Sequence, residues 1–228
     1  MSVETHRVLI GACGWNHQAW LNDFYSEDLP EDWLLGYYSN EFPVVYVPAA
    51  DWLNTVDTSE WTEDVSDSFR FIFEIPDNVL DNEQQFLSAL EKVKTLDDFC
   101  LGLVLKLSPS ICSDTNLFEK RLNAAQSVVP VCIDAKGIEL TEKLNNILSK
   151  ENISKVWHGE SEEMGSFQCG SLAITQILSG ELDMASLRKA VEHCLSASSE
   201  DCTSVLCLDG NPPSLELLRN ADIILNLL

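Results

Sequence analysis

Imidazole, carboxylate, thiol and ammonium groups recur in this sequence at the ends of short apolar runs. Cys13 and His17 follow the first run, Asp51 follows the second, Glu74 and Lys106 close the third and fourth, and Asp134 closes the fifth with Lys136 just beyond. His158 and Glu160 follow a sixth run, Thr175 or Gln176 ends a seventh, and Asp209 with Asn211 ends an eighth. Several chemistries are open to such a set. His158, Glu74, Asp134, Asp209 and His17 supply imidazole and carboxylate ligands suited to zinc, manganese or magnesium. Two metals bridged by a carboxylate could drive phosphoester hydrolysis. The plainer reading is that these are solvated or loop-capping groups, because the chain has four histidines and His6 and His193 read as surface residues. A buried Lys106 of lowered pKa could form a Schiff base beside the Glu74 carboxylate. An ion pair between the two is simpler, since buried charges need partners. If that pair is buried, Lys106→Met should cost a few kcal/mol. A nucleophilic Cys13 would need a base or a helix dipole, and the sequence offers only His17, four residues on. Trp15 and Trp52, at strand ends, are candidate groups for stacking on a ligand.

These residues are useful only if something holds them together. The runs Arg7–Ala12, Pro43–Pro48, Phe69–Ile75, Leu101–Leu107, Val128–Asp134, Ile153–His158, Leu172–Leu178 and Ser204–Asp209 are short, β-branched and apolar, as strands buried on both faces are. Helical spacing of apolar residues appears over Leu80–Leu96, Thr141–Leu148, Asp183–Leu195 and Leu215–Leu228. The last of these is opened by Pro212-Pro213-Ser214, and proline belongs at a helix start. Strands alternating with helices predict parallel βα units wound in one direction. A count of eight favours a closed barrel, compact beside the usual ~250 residues. The expected fold is therefore α/β, a compact (β/α)8 TIM-like barrel forming a single domain over residues 1–228. Asp51–Asp67 and Gly159–Gly170 break the alternation, so helices two and six are expected to be loops. In such a barrel the working face lies at the carboxyl ends of the strands, where the polar residues named above fall.

Fourteen basic against 37 acidic side chains give a formal charge of −23. That argues against a nucleic-acid partner, whose binding rests on neutralising phosphates with Lys and Arg, and it disfavours anionic membrane surfaces. No apolar run approaches the ~20 residues of a membrane-spanning helix, and the first residues lack the pattern of a secretory signal. A cytoplasmic protein is expected, with no nucleic-acid or membrane partner. The eight cysteines show no CxxC spacing, and several lie inside apolar runs, so reduced, buried thiols are expected. The oligomeric state is not legible.

The first seventy-odd residues carry a pattern. Ile10-Gly11-Ala12-Cys13-Gly14-Trp15, then Trp20, Phe24-Tyr25, Leu29-Pro30, Tyr37-Tyr38 and Phe42, resemble the opening of the YecE-like family, also called domain of unknown function 72. Phe69–Pro76 and Leu105–Ser110 are similar to its next strands. The resemblance implies a (β/α)8 barrel of unassigned function. It also exposes departures. Where the family reads V-E-I-N-S-T-F-Y, this chain reads Val45-Tyr46-Val47-Pro48-Ala49-Ala50-Asp51-Trp52. The family's lysine and glutamine of strands three and four are Glu74 and Lys106 here, as though the positive charge had moved one strand over. Its small serine of strand one is Cys13, which then reads as a filler. His158-Gly159 matches two letters of the family's R-x-H-G, one strand early. The resemblance thus implies a divergent member that has shed much of the family's polar cluster.

The leading expectation is a small-molecule-binding or regulatory barrel with weak or no catalysis, centred on Glu74, Lys106, Asp134 and His158. The alternatives are a metal-assisted hydrolase of a phosphate ester or sugar, with a divalent ion, and a protein-interaction module built on the Trp-rich Asp51–Asp67 segment. No cofactor motif is present.

Overall fold

The computed structural model describes residues 8–55, 57–159 and 170–228. The apolar runs form the parallel strands β1 (Val8–Cys13), β2 (Val44–Val47), β3 (Arg70–Ile75), β4 (Cys100–Lys106), β5 (Val131–Asp134), β6 (Ser154–Lys155), β7 (Leu172–Leu178) and β8 (Thr203–Asp209). Their order in the sheet is β6-β5-β4-β3-β2-β1-β8-β7, so strands adjacent in sequence pair in space and β8 returns to β1. The remaining seam, β6 to β7, is closed by a parallel bridge between Trp157 and Thr175. There the Trp157 N–H donates to the Ile174 carbonyl at 2.9 Å and the Gln176 N–H to the Trp157 carbonyl at 2.8 Å. The result is the nearly closed α/β barrel that the alternation predicts. The sixth strand is shorter than expected, since its run mixes Ser154, Lys155 and His158 with only three apolar residues, Ile153, Val156 and Trp157.

The helices are α1 (Leu34–Ser39), α2 (Ala49–Trp52), α3 (Asp77–Asp81), α4 (Glu83–Lys94), α5 (Pro109–Ser113), α6 (Thr115–Gln126), α7 (Glu142–Lys150), α8 (Met184–Ala197) and α9 (Leu215–Leu227). The expected Leu80–Leu96 helix is split at Asn82, whose side chain accepts the Gln85 N–H and caps α4. Thr141, Asp183 and Ser214 cap α7, α8 and α9 in the same way. Helix α6 has no counterpart among the expected helices. Its buried stripe of Phe118, Leu122 and Ala125 includes Arg121, and a charge in the stripe hides the period. Arg121 is accommodated because its Nε donates to the Leu80 carbonyl at 3.0 Å and its guanidinium lies over the Phe86 ring.

The Asp51–Asp67 segment is only in part a loop: it holds the end of α2 and a 3-10 turn at Ser59–Thr62. Its Trp61 fills the space a longer helix would take, packing on Trp15, Phe71 and Phe73. Most of the second break, residues 160–169, lies outside the described residues, as do Glu160 and His6.

Period-two alternation divides the strands into two cores. Phe71, Phe73, Leu103, Leu105, Ile133, Leu206 and Leu208 face the helices, while Val44, Ile72, Val104, Cys132, Ile174, Val205 and Cys207 fill the barrel. Gly11 lets β1 and β2 approach: a Cβ there would stand 1.9 Å from the Val44 carbonyl oxygen. Free thiols are found at Cys13, Cys100, Cys112, Cys132, Cys194 and Cys207, all buried except the partly exposed Cys112. Cys202 is disulfide-bonded, which corrects the expectation of reduced cysteines at that position. Among the described residues no helix is long and apolar enough to cross a membrane.

Candidate functional site

The alternation that fills the barrel also builds its floor. Two residues beyond each inward apolar side chain, the next inward position is polar: Glu74 after Ile72, Lys106 after Val104, Asp134 after Cys132, His158 after Val156, Gln176 after Ile174, and Asp209 after Cys207. Cys13 and Tyr46 hold the corresponding places on β1 and β2. The end of the barrel is thereby capped by a polar layer over an apolar core.

Hydrogen bonds join this layer. The Tyr46 hydroxyl donates to Glu74 Oε2 at 2.9 Å, and Lys106 Nζ lies 3.4 Å from the same oxygen. His158 Nε2 is 3.0 Å from Asp134 Oδ1, which also accepts the Lys136 backbone N–H at 2.9 Å. Gln176 Nε2 donates to Asp209 Oδ2 at 3.2 Å and approaches Cys13 Sγ at 3.5 Å. Burial pushes the Asp134 carboxyl up, but the bonds from His158 and Lys136 and the nearby charges of His158 and Lys106 outweigh it, and the net pKa lies below the ordinary value. Burial raises the Tyr46 phenol well above its usual range, and neighbouring Glu74 adds to the rise. The Cys13 thiol is raised mainly by burial, then by Cys207 and Asp209. Tyr46 is therefore a neutral donor and Cys13 a protonated thiol, the inert filler expected of it.

A cavity of about 800 Å³ opens above the floor, lined by Lys106, Asp134, His158, Gln176 and Asp209, with Lys136 and Lys189 beside them. Ile177, Leu178 and Leu182 make one apolar wall. Of the residues singled out in the sequence, Lys106, Asp134, His158 and Asp209 thus meet in one pocket. Glu74 stands behind Lys106, and Cys13 beneath Gln176. The Glu74–Lys106 pair exists, but the Lys106 side chain is 44% exposed against 14% for Glu74. It is a pair at the mouth rather than a buried one, which corrects the premise behind a cost of several kcal/mol.

Four of the singled-out residues lie elsewhere. His17 Nε2 contacts the Cys13 carbonyl at 2.9 Å and its ring packs edge-on against Trp20. Asp51, in the first turn of α2, is near His17 across Gly14, and burial with the Glu74 charge raises its carboxyl despite the opposing pull of His17. Trp52 is not a stacking platform. It is wholly buried against Phe73, with its Nε1–H donated to the Glu74 carbonyl at 2.9 Å. Trp15 is partly buried and held edge-on to Trp61 at 5.0 Å. With Trp52 and Trp61 turned inward, the Trp-rich segment does not present these rings to a partner. His193, expected on the surface, is half-buried against Trp157 at 4.2 Å. Among the described residues no three His, Cys, Asp or Glu side chains are grouped to hold a metal ion. His158 and Asp134 are together, but Glu74 is engaged by Tyr46 and Lys106, and Asp209 by Gln176 and the Gly210 N–H.

Tyr46 and Lys189 were not singled out by sequence. Tyr46 was legible: it is two residues beyond inward Val44. Period two also decides for Gln176, since Thr175 pairs with Trp157 and packs towards Cys194. Lys189 comes from α8, where nothing in the helical pattern shows that it lines the cavity.

The sequence matches the family model described as protein of unknown function DUF72 over residues 9–185. A DUF72 family protein of Enterococcus faecalis V583 has a similar fold, with a TM-score of 0.67 and 12% identity over 99% of this chain and 98% of that one. One from Thermotoga maritima MSB8 gives 0.68 and 14% over 96% of this chain and 99% of its own. No curated protein matches.

Proposed function

The chain belongs to the DUF72 family, and from that premise we propose that it is a small-molecule-binding or regulatory barrel, one domain over residues 1–228, in which catalysis is weak or lost. The observation that carries this reading is the convergence of Lys106, Asp134, His158, Gln176 and Asp209, from five successive strand ends, on a cavity of about 800 Å³. That is the size and position of a ligand site in such a fold. Weak catalysis is supported by the state of the floor. Cys13 and Tyr46 are held in their neutral forms by burial, which leaves no activated nucleophile among them. His158 and Asp134 remain as an acid–base pair that can orient a ligand's polar hydrogens. A cytoplasmic setting is proposed with it: the buried strand thiols are free, with the disulfide at Cys202 as the exception.

The test is a thermal-shift panel of nucleotides, sugars, sugar phosphates, organic acids and divalent ions on the purified chain. A ligand of the folded state raises the midpoint by mass action. We expect an organic ligand to raise it, and His158→Ala or Asp209→Asn to abolish the rise. A rise with metal alone, lost in His158→Ala, would replace binding with metal-assisted hydrolysis.

A further inference from the structure

With 37 acidic against 14 basic residues, a lysine on this surface meets carboxylates in excess. Most cations among the described residues do take a partner, a glutamate in most cases or, for Lys92 and Arg70, backbone carbonyls. Lys136, Lys143, Lys155 and Lys189 have no ion pair or side-chain hydrogen bond there. Three of these four gather at one place. Lys136 and Lys189 line the cavity of about 800 Å³, and Lys155 lines an adjoining hollow of about 430 Å³ that shares Lys136 and His158 with it. Lys106 faces the same cavity, with only a long 3.4 Å contact to Glu74. These amines come from separate elements: the end of β4, the turn after β5, β6 and helix α8.

We propose that the ligand of this mouth is a hydroxylated phosphate monoester, of the sugar-phosphate or polyol-phosphate class, an inference that rests on the binding reading above. A phosphate monoester carries roughly −1.5 to −2 charges near neutral pH, and lysine ammonium groups bind phosphate as point charges. In a chain of net charge −23, lysines without a close ion pair, of which Lys189 feels the nearby Asp183 charge, make the rim the place where an anion is drawn in. A bare anion does not satisfy the floor, because Asp134 and Asp209 repel it. Together with the Gln176 carbonyl they are acceptors, and they call for hydroxyl donors. The ligand therefore presents hydroxyl groups downward and its phosphate to the rim lysines. The wall of Ile177, Leu178 and Leu182 takes its C–H face.

The experiment is a calorimetric titration of the purified full chain with glucose 6-phosphate, ribose 5-phosphate and glycerol 3-phosphate, alongside glucose, glycerol and inorganic phosphate, at low and high salt. At least one phosphorylated probe should bind more tightly than its unphosphorylated form and than inorganic phosphate, and salt should weaken it. The double variant Lys136→Gln/Lys189→Gln should lose affinity about tenfold or more, with an unchanged unfolding midpoint in the absence of ligand. Equal binding by that variant overturns the inference, and so does inorganic phosphate binding as well as the esters. Binding of an uncharged probe alone, lost in His158→Ala, overturns the inference and leaves the binding reading standing. If none of the phosphorylated probes binds at millimolar concentration, the class is wrong, and the broader thermal-shift panel then judges the binding reading separately.

Discussion

The two halves of the barrel are built differently. Around β1 and β2, where the family-like residues cluster, the layer between strands and helices is filled with rings and makes a closed half. Trp20, Phe24, Tyr25, Tyr38 and Phe42 pack on one another, Trp15 meets Trp61, and Trp52 meets Phe73. Even the polar atoms there serve the packing: the Tyr38 hydroxyl accepts the Ala12 N–H and donates to the Val44 carbonyl, and the Trp20 Nε1–H reaches the Pro213 carbonyl. From β4 to β8 the mouth is open, and its side chains are ammonium, carboxylate, imidazole and amide groups. The residues that mark the family in this chain therefore pack its strands against the elements that cover them, while the cavity lies where the family pattern is weakest. A motif can be distinctive because it packs.

Truncating a ring in the closed half should be the most damaging change. Trp52→Ala removes a wholly buried indole and leaves the Glu74 carbonyl without its 2.9 Å donor. Urea unfolding should show a loss of about 3–5 kcal/mol. A loss under about 1 kcal/mol would mean that the closed half is not core and would dissolve the contrast. In the open half, Asp134→Ala should cost less, about 1–3 kcal/mol, by orphaning His158 and the Lys136 N–H. Its signature is in the pH dependence. The folded-state pKa of Asp134 is depressed, so the carboxylate's contribution is fully present above its unfolded value near ~3.9 and lost as pH falls through the folded one. The midpoint gap between wild type and Asp134→Asn should therefore close below about pH 4; a gap constant with pH would contradict the assigned pairing. Lys106→Met should cost within about 1 kcal/mol, because the pair is half-exposed and Glu74 keeps the Tyr46 hydroxyl. A loss several times larger would mark the pair as buried after all.

The same contrast explains what the sequence could tell. Strands β1 to β5, β7 and β8 are legible because inward and outward positions are mostly both apolar, giving runs such as Leu103–Leu105 and Val205–Leu208. Helix α6 was hidden by Arg121, whose charge is satisfied by a carbonyl 41 positions away that no local pattern reveals. For the site, strand ends in a barrel name the floor, and Glu74, Lys106, Asp134, His158 and Asp209 follow from that rule. Trp15, His17, Asp51 and Trp52 follow from it as well and yet are not in the cavity. Which strand-end side chains reach the cavity depends on how the segments after each strand turn and pack, and that is a tertiary property. Lys189 shows the complementary gap, since a long side chain on an exposed helix face has no period to betray its reach.

The smallest expected effect concerns the seam that separates the open half into its two sides. Trp157 closes β6 onto β7 through its backbone, and its ring rests on His193 of α8 at 4.2 Å. Burial holds the His193 pKa below its ordinary value, so the neutral imidazole is the form the fold accepts. The contribution is present above the unfolded pKa near ~6.5 and declines as pH falls towards the lower folded value. The thermal midpoint of the wild type should therefore drop slightly more than that of His193→Gln between neutral and mildly acidic pH. Fading Trp157 fluorescence changes are masked by the other five tryptophans, so hydrogen exchange at the Trp157 and Gln176 amides is the sharper readout. Acid should speed exchange opening at those two amides more than at the β1–β2 pairs of the ring-packed half. Equal acceleration in both halves would show that acid loosens the barrel as a whole, and that the open half is no softer than the closed one.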